Sequence, residues 1–429
     1  MGRVSCSQLS PSRPVTLNAP VTPPPLCAAP KRGDLLASVM SARARSGDLF
    51  RLPIGRSELV FVCHPELAYD VLVHQKDVFV KSLPAAKPAG LQRVLGGGLL
   101  TVSGRESWFK SRRVLQPAFH ARQIAGWTGK ILRSGERLVT RLKSLGRMDL
   151  QAELLQAGLE LSYELLFSLP PERVPDYPLK TSLSLATASE KQVRTANWAN
   201  DAVISRILAE RRALAGNYGD LLELLLTTRD ADTGEGLSDR QIRDELLTLL
   251  AAGHETAANA LSWALHLVYS HPEVLARLRA ELNAQVPPSR RPYLRATFKE
   301  ALRLYPVIPY APRTPIRNTT LGGFDVKAGS KLLVCIYAVQ RHPVFWEEPD
   351  AFQPERFLVE LTQPQAYFPF GLGERFCLGR NLALLQGELW LSLLIRAFDM
   401  IFGAEPERKL AVSLAPRGGL PVRLEVRQP

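Results

Sequence analysis

The chain has 429 residues, 46% of them apolar and 22% charged, a globular balance that excludes wholesale disorder and a length that excludes a small binding module. Lysine and arginine outnumber aspartate and glutamate by 54 to 41, and the resulting charge of +13 admits nucleic acid, an anionic membrane surface or an acidic protein partner without selecting one. The basic residues are spread along the chain rather than grouped, so no nucleic-acid partner is expected, and the five cysteines contain no CxxC pair, which argues against a disulfide framework, a zinc ribbon and covalent c-type haem.

Residues 1–32 are rich in proline and hold no acidic residue or signal-type apolar core, so they read as a disordered leader ahead of a folded unit over 33–429. After a short helical stretch, LFRLPIG and ELVFVC predict two strands meeting at a turn near Gly55. From Pro65 to about Lys299 apolar residues recur at three- and four-residue spacing, a helical pattern. Within it, Gln92–Gly104 contains GGG and reads as a mobile loop, and LPPERVPDYP as a second loop. Ser238 and Gln241 have capping-box spacing and open the longest helix, which His271-Pro272 stops. From Tyr305 the pattern turns to strands, then to a helix over NLALLQGELWLSLLIRAF, then to strands again. No apolar run reaches the length of about 18 residues that a membrane-spanning helix needs. The expectation is a mainly α (α+β) chain: one large helical domain with a smaller β-rich part, cytoplasmic and monomeric.

The chemistry concentrates in Phe370-Gly371-Leu372-Gly373-Glu374-Arg375-Phe376-Cys377-Leu378-Gly379. A lone cysteine among apolar residues is commonly an inert core residue. Here glycines let backbone N–H groups approach the sulfur and a cation lies nearby, the combination that lowers a thiol pKa and holds a thiolate ligand. The pattern FxxGxRxCxG resembles the signature of the cytochrome P450 superfamily, the haem-thiolate monooxygenases. Three further segments resemble the same superfamily in the right order. In Glu300-Ala301-Leu302-Arg303, spacing of three puts carboxylate and guanidinium on one helix face. By resemblance, Glu300 and Arg303 join Arg356 of PERF in a buried structural triad. Ala252-Gly253-His254-Glu255-Thr256 lies in mid-helix, and its His-Glu pair is not a zinc motif, because HExxH would need histidine at Ala258. Resemblance makes Ala252 and Gly253 the haem-facing opening for oxygen, and Glu255 and Thr256 an acid–alcohol proton relay. Trp108 and Arg112, four apart, share a helix face. By resemblance they bind the haem propionates with Arg313 and Arg375, while Phe370, Gly373 and Gly379 shape the loop of Cys377, the metal ligand.

The resemblance therefore implies haem b, with electrons reaching it from NAD(P)H through a separate ferredoxin and ferredoxin reductase, since only residues 378–429 follow the cysteine. Arg375, Arg380 and Lys110 are expected on a positive surface for an acidic ferredoxin. The segments AGHETAANALSW, EALRLYP, YFPFGLGERFCLGRNLALLQG and RGGLPVR resemble soluble carotenoid-ring hydroxylases of thermophilic bacteria. That implies an apolar substrate, with Val307, Ile308 and the segments 307–312 and 87–99 as pocket walls, and a peripheral membrane contact for its uptake. A fatty-acid hydroxylase, a peroxygenase and a non-enzymatic haem or gas sensor share the same ligand and are the alternatives.

Overall fold

The computed structural model describes residues 22–28, 34–81, 90–102, 104–176, 178–179, 185–186, 188–213, 218–230, 234–284 and 291–428. The N-terminal half opens with α1 (Leu35–Ser46), β1 (Leu49–Ile54), β2 (Ser57–Val62), α2 (Pro65–Tyr69), β3 (Phe79–Val80) and α3 (Gln92–Leu95). Helices α4 (Arg105–Leu115), α5 (Ala121–Gly126) and α6 (Thr128–Lys143) follow, then β4 (Arg147–Asp149), α7 (Leu150–Phe167), α8 (Glu190–Ala213) and α9 (Leu221–Thr227). Next come α10 (Asp239–Ser270), α11 (Pro272–Asn283) and α12 (Pro292–Leu304). Strands β5 (Tyr310–Pro315), β6 (Thr319–Leu321), β7 (Phe324–Val326) and β8 (Lys331–Cys335) lead to α13 (Ile336–Val339) and α14 (Arg380–Ala397). The chain ends in β9 (Phe398–Phe402), β10 (Arg408–Leu410), β11 (Leu414–Pro416) and β12 (Pro421–Val426). The helix-dominated architecture with a smaller β-rich part agrees with the sequence expectation.

Helix α10 is the axis of the helical part. Its start is the predicted capping box: Gln241 N–H donates to the Ser238 hydroxyl while the Gln241 side chain accepts from the Ser238 N–H. Helix α7 packs along it, and Gly158 permits the approach, because a β-carbon there would stand 3.2 Å from the His254 carbonyl oxygen. Apolar residues of α6, α7, α10, α12 and α14 join one large core. The main sheet has the order β1-β2-β8-β5-β3, parallel only between β2 and β8, where Val62 stands beside Val334. A three-stranded sheet has the order β4-β12-β9, antiparallel throughout.

Two expectations need correction. Residues 22–28, read from sequence as part of the leader, run beside β1: Cys27 N–H donates to the Arg51 carbonyl at 2.9 Å and Arg51 N–H to that of Pro25 at 2.8 Å. The remaining leader residues, 1–21 and 29–32, lie outside the described residues, as do 87–89 of the expected pocket wall. The GGG segment is not a free loop. Gly97 N–H donates to the Asp244 carboxylate at 2.7 Å and Leu99 N–H to that of Glu245 at 2.9 Å, so α10 clamps it through two acids. A β-carbon on Gly98 would overlap the Thr248 hydroxyl, which explains a glycine at that contact.

Candidate active site

Helix α12 supplies the most deeply buried charges. Glu300 and Arg303 are 0% exposed, and two parallel bonds join them, Nε to Oε2 at 2.7 Å and Nη2 to Oε1 at 2.8 Å. A buried ion pair is tolerable only when its remaining donors are satisfied. Here Arg303 also donates to the carbonyls of Gln340, Pro349 and Ala351, and Glu300 accepts from Gln353 N–H and from Arg356 Nε at 3.3 Å. These bonds fix the segment leading from α13 toward the cysteine loop. The three residues paired from sequence are thus brought together.

The cysteine loop takes its shape from its glycines. Gly371 and Gly373 have φ of +76° and +74°, a region that glycine alone enters without strain. The loop closes with Cys377 N–H donating to the Phe370 carbonyl at 2.8 Å. Protein surrounds the Cys377 thiol, and yet the residue is exposed, so it looks onto an open space. A cavity of about 250 Å³ beside it is lined by Arg112, Phe119, His120 and Arg380. Burial pushes the thiol pKa up, while the Gly379 N–H and the guanidiniums of Arg112 and Arg380 pull it down without prevailing. The sequence argument expected a net lowering. Desolvation wins because the cations are not in contact with the sulfur, and a bound metal's own charge would have to hold the thiolate.

Across the core, exposure along α10 changes in the middle. Residues on both sides, such as Leu250, Ala251, Ala258 and Leu261, are at most 1% exposed. Gly253 is exposed and Ala252, His254, Glu255 and Thr256 are partly so. Accessible surface in the middle of a core helix faces an interior space. Thr256 Oγ1 donates to the Ala252 carbonyl at 2.6 Å, and Glu255 Oε1 accepts from Ser413 at 3.0 Å. The acid and the alcohol are therefore adjacent in sequence but engaged with different partners. His254 turns its Nδ1–H back to the Leu250 carbonyl at 2.7 Å, and burial lowers its pKa.

A cation cluster completes the site. The Arg375 guanidinium lies 4.5 Å from the Trp108 ring, and its Nη1 is buried with no hydrogen-bond partner. Burial and the Arg375 charge bring Arg313 down to about 10, and burial brings Arg375 itself to about 10. Lys81, which sequence reasoning missed, falls to about 8 through burial and the charges of Arg375 and Arg313. No motif marks Lys81, because it follows a two-residue strand and only folding brings it here. Three neighbouring cations whose pKa values burial lowers, with Arg375 depressing both Arg313 and Lys81, fit a ligand carrying carboxylates, as haem does with its two propionates. Trp108 is buried beneath this cluster, at 3% exposure. Arg112 is placed differently: it donates to the Phe376 carbonyl at 3.0 Å and stacks 4.5 Å from the Phe376 ring, beside the cysteine loop.

The surface expected from Arg375, Arg380 and Lys110 is not formed by all three. Arg375 turns inward to Trp108, and Lys110 pairs with Glu235 at 3.3 Å, leaving Arg380 exposed at the cavity rim. Val307 is 7% exposed and its carbonyl accepts from Leu414 N–H, and Ile308 beside it is partly exposed. Asp48, His64 and His342 also gather closely enough to hold a metal. Yet both histidines accept a backbone N–H at Nδ1, from Glu66 and Val344. Each neutral ring then carries its proton on Nε2, so the group is a hydrogen-bonded cluster rather than a ligand set.

The sequence model of the cytochrome P450 family matches residues 25–208 and 173–418. The chain belongs to the cytochrome P450 family. It is similar to the crystal structure of the cytochrome P450DA heme domain, with a TM-score of 0.83 and 29% identity over 95% of this chain and 99% of that one. It is 31% identical to cyclooctat-9-en-7-ol 5-monooxygenase of Streptomyces melanosporofaciens over 80% of each chain. It is 26% identical to protein LUTEIN DEFICIENT 5, chloroplastic, of Arabidopsis thaliana, over 82% of this chain and 67% of that one. As a cytochrome P450 it is an enzyme, a haem-thiolate monooxygenase that incorporates an oxygen atom from O2. No helix among the described residues is long and apolar enough to cross a membrane.

Proposed function

We propose that this monooxygenase hydroxylates a ring carbon of an apolar isoprenoid, with a cyclic carotenoid as its substrate. Cys377 would hold the iron of haem b, and the propionates would lie on Arg313, Arg375, Lys81 and Trp108, with Arg112 bracing the cysteine loop. When bound, the haem supplies oxygen activation, which a thiolate ligand favours. The protein's part is to keep water off a C–H bond, present that bond, and deliver protons. Val307, Ile308 and the alanines of α10 offer an apolar wall, while Thr256 and Glu255 offer a hydroxyl and a carboxyl at the open stretch of the helix.

The observation that carries this reading is that open stretch, 252–256, in a core helix whose flanks are sealed. A relative named for a cyclic alcohol substrate and another named for lutein support ring-bearing isoprenoids over straight chains. Electrons would come from NAD(P)H through a ferredoxin reductase and an acidic ferredoxin docking near Arg380, in a cytoplasmic setting.

The test incubates the purified enzyme, ferredoxin, ferredoxin reductase and NADPH with β-carotene-type pigments and, separately, with long-chain fatty acids. Hydroxylated pigment is expected. Hydroxylated fatty acid with every pigment unchanged would overturn the substrate. Product formed with hydrogen peroxide but not with NADPH would make the enzyme a peroxygenase.

A further inference from the structure

The carboxylate of Glu255 is held by a chain of buried polar groups that come from three separate elements. Ser413, in the turn between β10 and β11, donates to Glu255 Oε1 at 3.0 Å and is 4% exposed. Asn259, one turn further along α10 and 1% exposed, donates from Nδ2 to the Ser413 oxygen at 3.3 Å. Gln151, in the first turn of α7, donates from Nε2 to Asn259 Oδ1 at 2.7 Å. A hydroxyl has a single proton. Because the Ser413 oxygen already faces an amide donor, that proton is the one directed at Glu255. Every donor in the chain points the same way, and the chain ends on a carboxylate, the polarity that strengthens each successive bond.

The turn that carries Ser413 is itself fixed. Leu414 N–H donates to the Val307 carbonyl at 2.7 Å, and Trp263 Nε1 donates to the Leu414 carbonyl at 3.1 Å. The anchor points are thus Trp263 of α10, the helix that carries the open stretch, and Val307 in the segment after α12. A glutamate has three side-chain torsions, and the Ser413 hydroxyl fixes where one of its carboxylate oxygens stands. With Thr256 Oγ1 engaged by the Ala252 carbonyl, where the Glu255 carboxylate rests decides whether acid and alcohol work in sequence.

We infer that Ser413, oriented by Asn259 and Gln151, is a positioning residue that fixes the Glu255 carboxylate and thereby governs proton delivery at the oxygen site. This rests on the reading of Glu255 as the acid of the relay. The test uses haem-loaded wild type, Ser413→Ala, Ser413→Thr and Glu255→Gln, with β-carotene as the probe. Three quantities are read: the share of NADPH electrons lost to hydrogen peroxide, the affinity from the Soret titration, and crystal structures of the two Ser413 variants. Losing one charge-assisted hydrogen bond should raise the peroxide share in Ser413→Ala by about threefold to tenfold, with pigment affinity unchanged. Ser413→Thr, which keeps the hydroxyl, should restore wild-type coupling, and Glu255 should change orientation in the alanine variant only. Glu255→Gln uncoupled with Ser413→Ala fully coupled would overturn the role of Ser413 and leave the relay standing. Glu255→Gln fully coupled would overturn the relay and this inference with it. An unmoved Glu255 in the Ser413→Ala crystal structure would also sink it.

Discussion

A β-carbon on Gly373 would overlap the carbonyl oxygen of Leu72, and Gly373 has φ of +74°. Two independent demands therefore fall on one position four residues before the cysteine. Leu72 sits in a buried turn after α2, so the obstructing atom belongs to backbone that cannot swing aside. Gly373→Ala should lose about 1–3 kcal/mol in urea unfolding from the positive φ alone. It should also be purified with little haem, whereas Gly379→Ala, where a β-carbon meets open space, should fold with near wild-type stability.

The Glu300–Arg303 pair gives a second expectation. Removing one member leaves the other charge buried without its partner, at a cost of about 3–5 kcal/mol. Glu300→Gln should therefore lower the urea midpoint sharply, and it should do so in the haem-free protein as well. An effect confined to the haem-bound form would assign these residues to the haem instead.

Glu245 governs a pH dependence. Burial raises its pKa to about 7 from the ordinary 4.5, against the opposing bonds from Leu99 N–H and Ser111. Between those two values the folded protein binds the proton and the unfolded chain does not, so stability must fall as pH rises from about 4.5 to about 7. Glu245→Gln keeps an acceptor for Leu99 N–H and removes the titration. The difference in stability between variant and wild type should grow in the variant's favour across that range and level off above pH 7, as read by urea unfolding at a series of pH values.

Lys81 separates haem binding from folding. It stands half-buried near Arg313 and Arg375, and its Nζ donates to the Leu100 carbonyl. Lys81→Met removes a repelled charge, so the haem-free protein should be at least as stable as wild type. The same change should speed haem transfer to apomyoglobin by about tenfold, the value of one charge-assisted hydrogen bond. A parallel loss of haem and of apoprotein stability would contradict the placement of the cluster.

The parts legible in the sequence were those set by local periodicity or fixed spacing. The capping box at Ser238 and Gln241 and the Glu300–Arg303 pair each follow from one helix's repeat, and the hairpin near Gly55 joins two strands that are adjacent in sequence. The clamp of Gly97 and Leu99 on Asp244 and Glu245 spans more than a hundred positions of sequence, so GGG alone reads as a free loop. Ser413 and Lys81 were missed for the same reason: each is an ordinary residue, Ser413 in a short turn and Lys81 just after a short strand. The direction of the Cys377 pKa was misjudged because counting nearby donors leaves out the desolvation that only packing sets.

The central claim is that Cys377 would hold the iron of a haem, and the reduced, carbon-monoxide-bound spectrum tests it most directly. Wild type should show the red-shifted Soret band of thiolate ligation. Cys377→Ala should lose that band, and Cys377→His should move it to the position of histidine-ligated haem. A wild-type band already at the histidine position, or a thiolate band that survives in Cys377→Ala, would contradict the account.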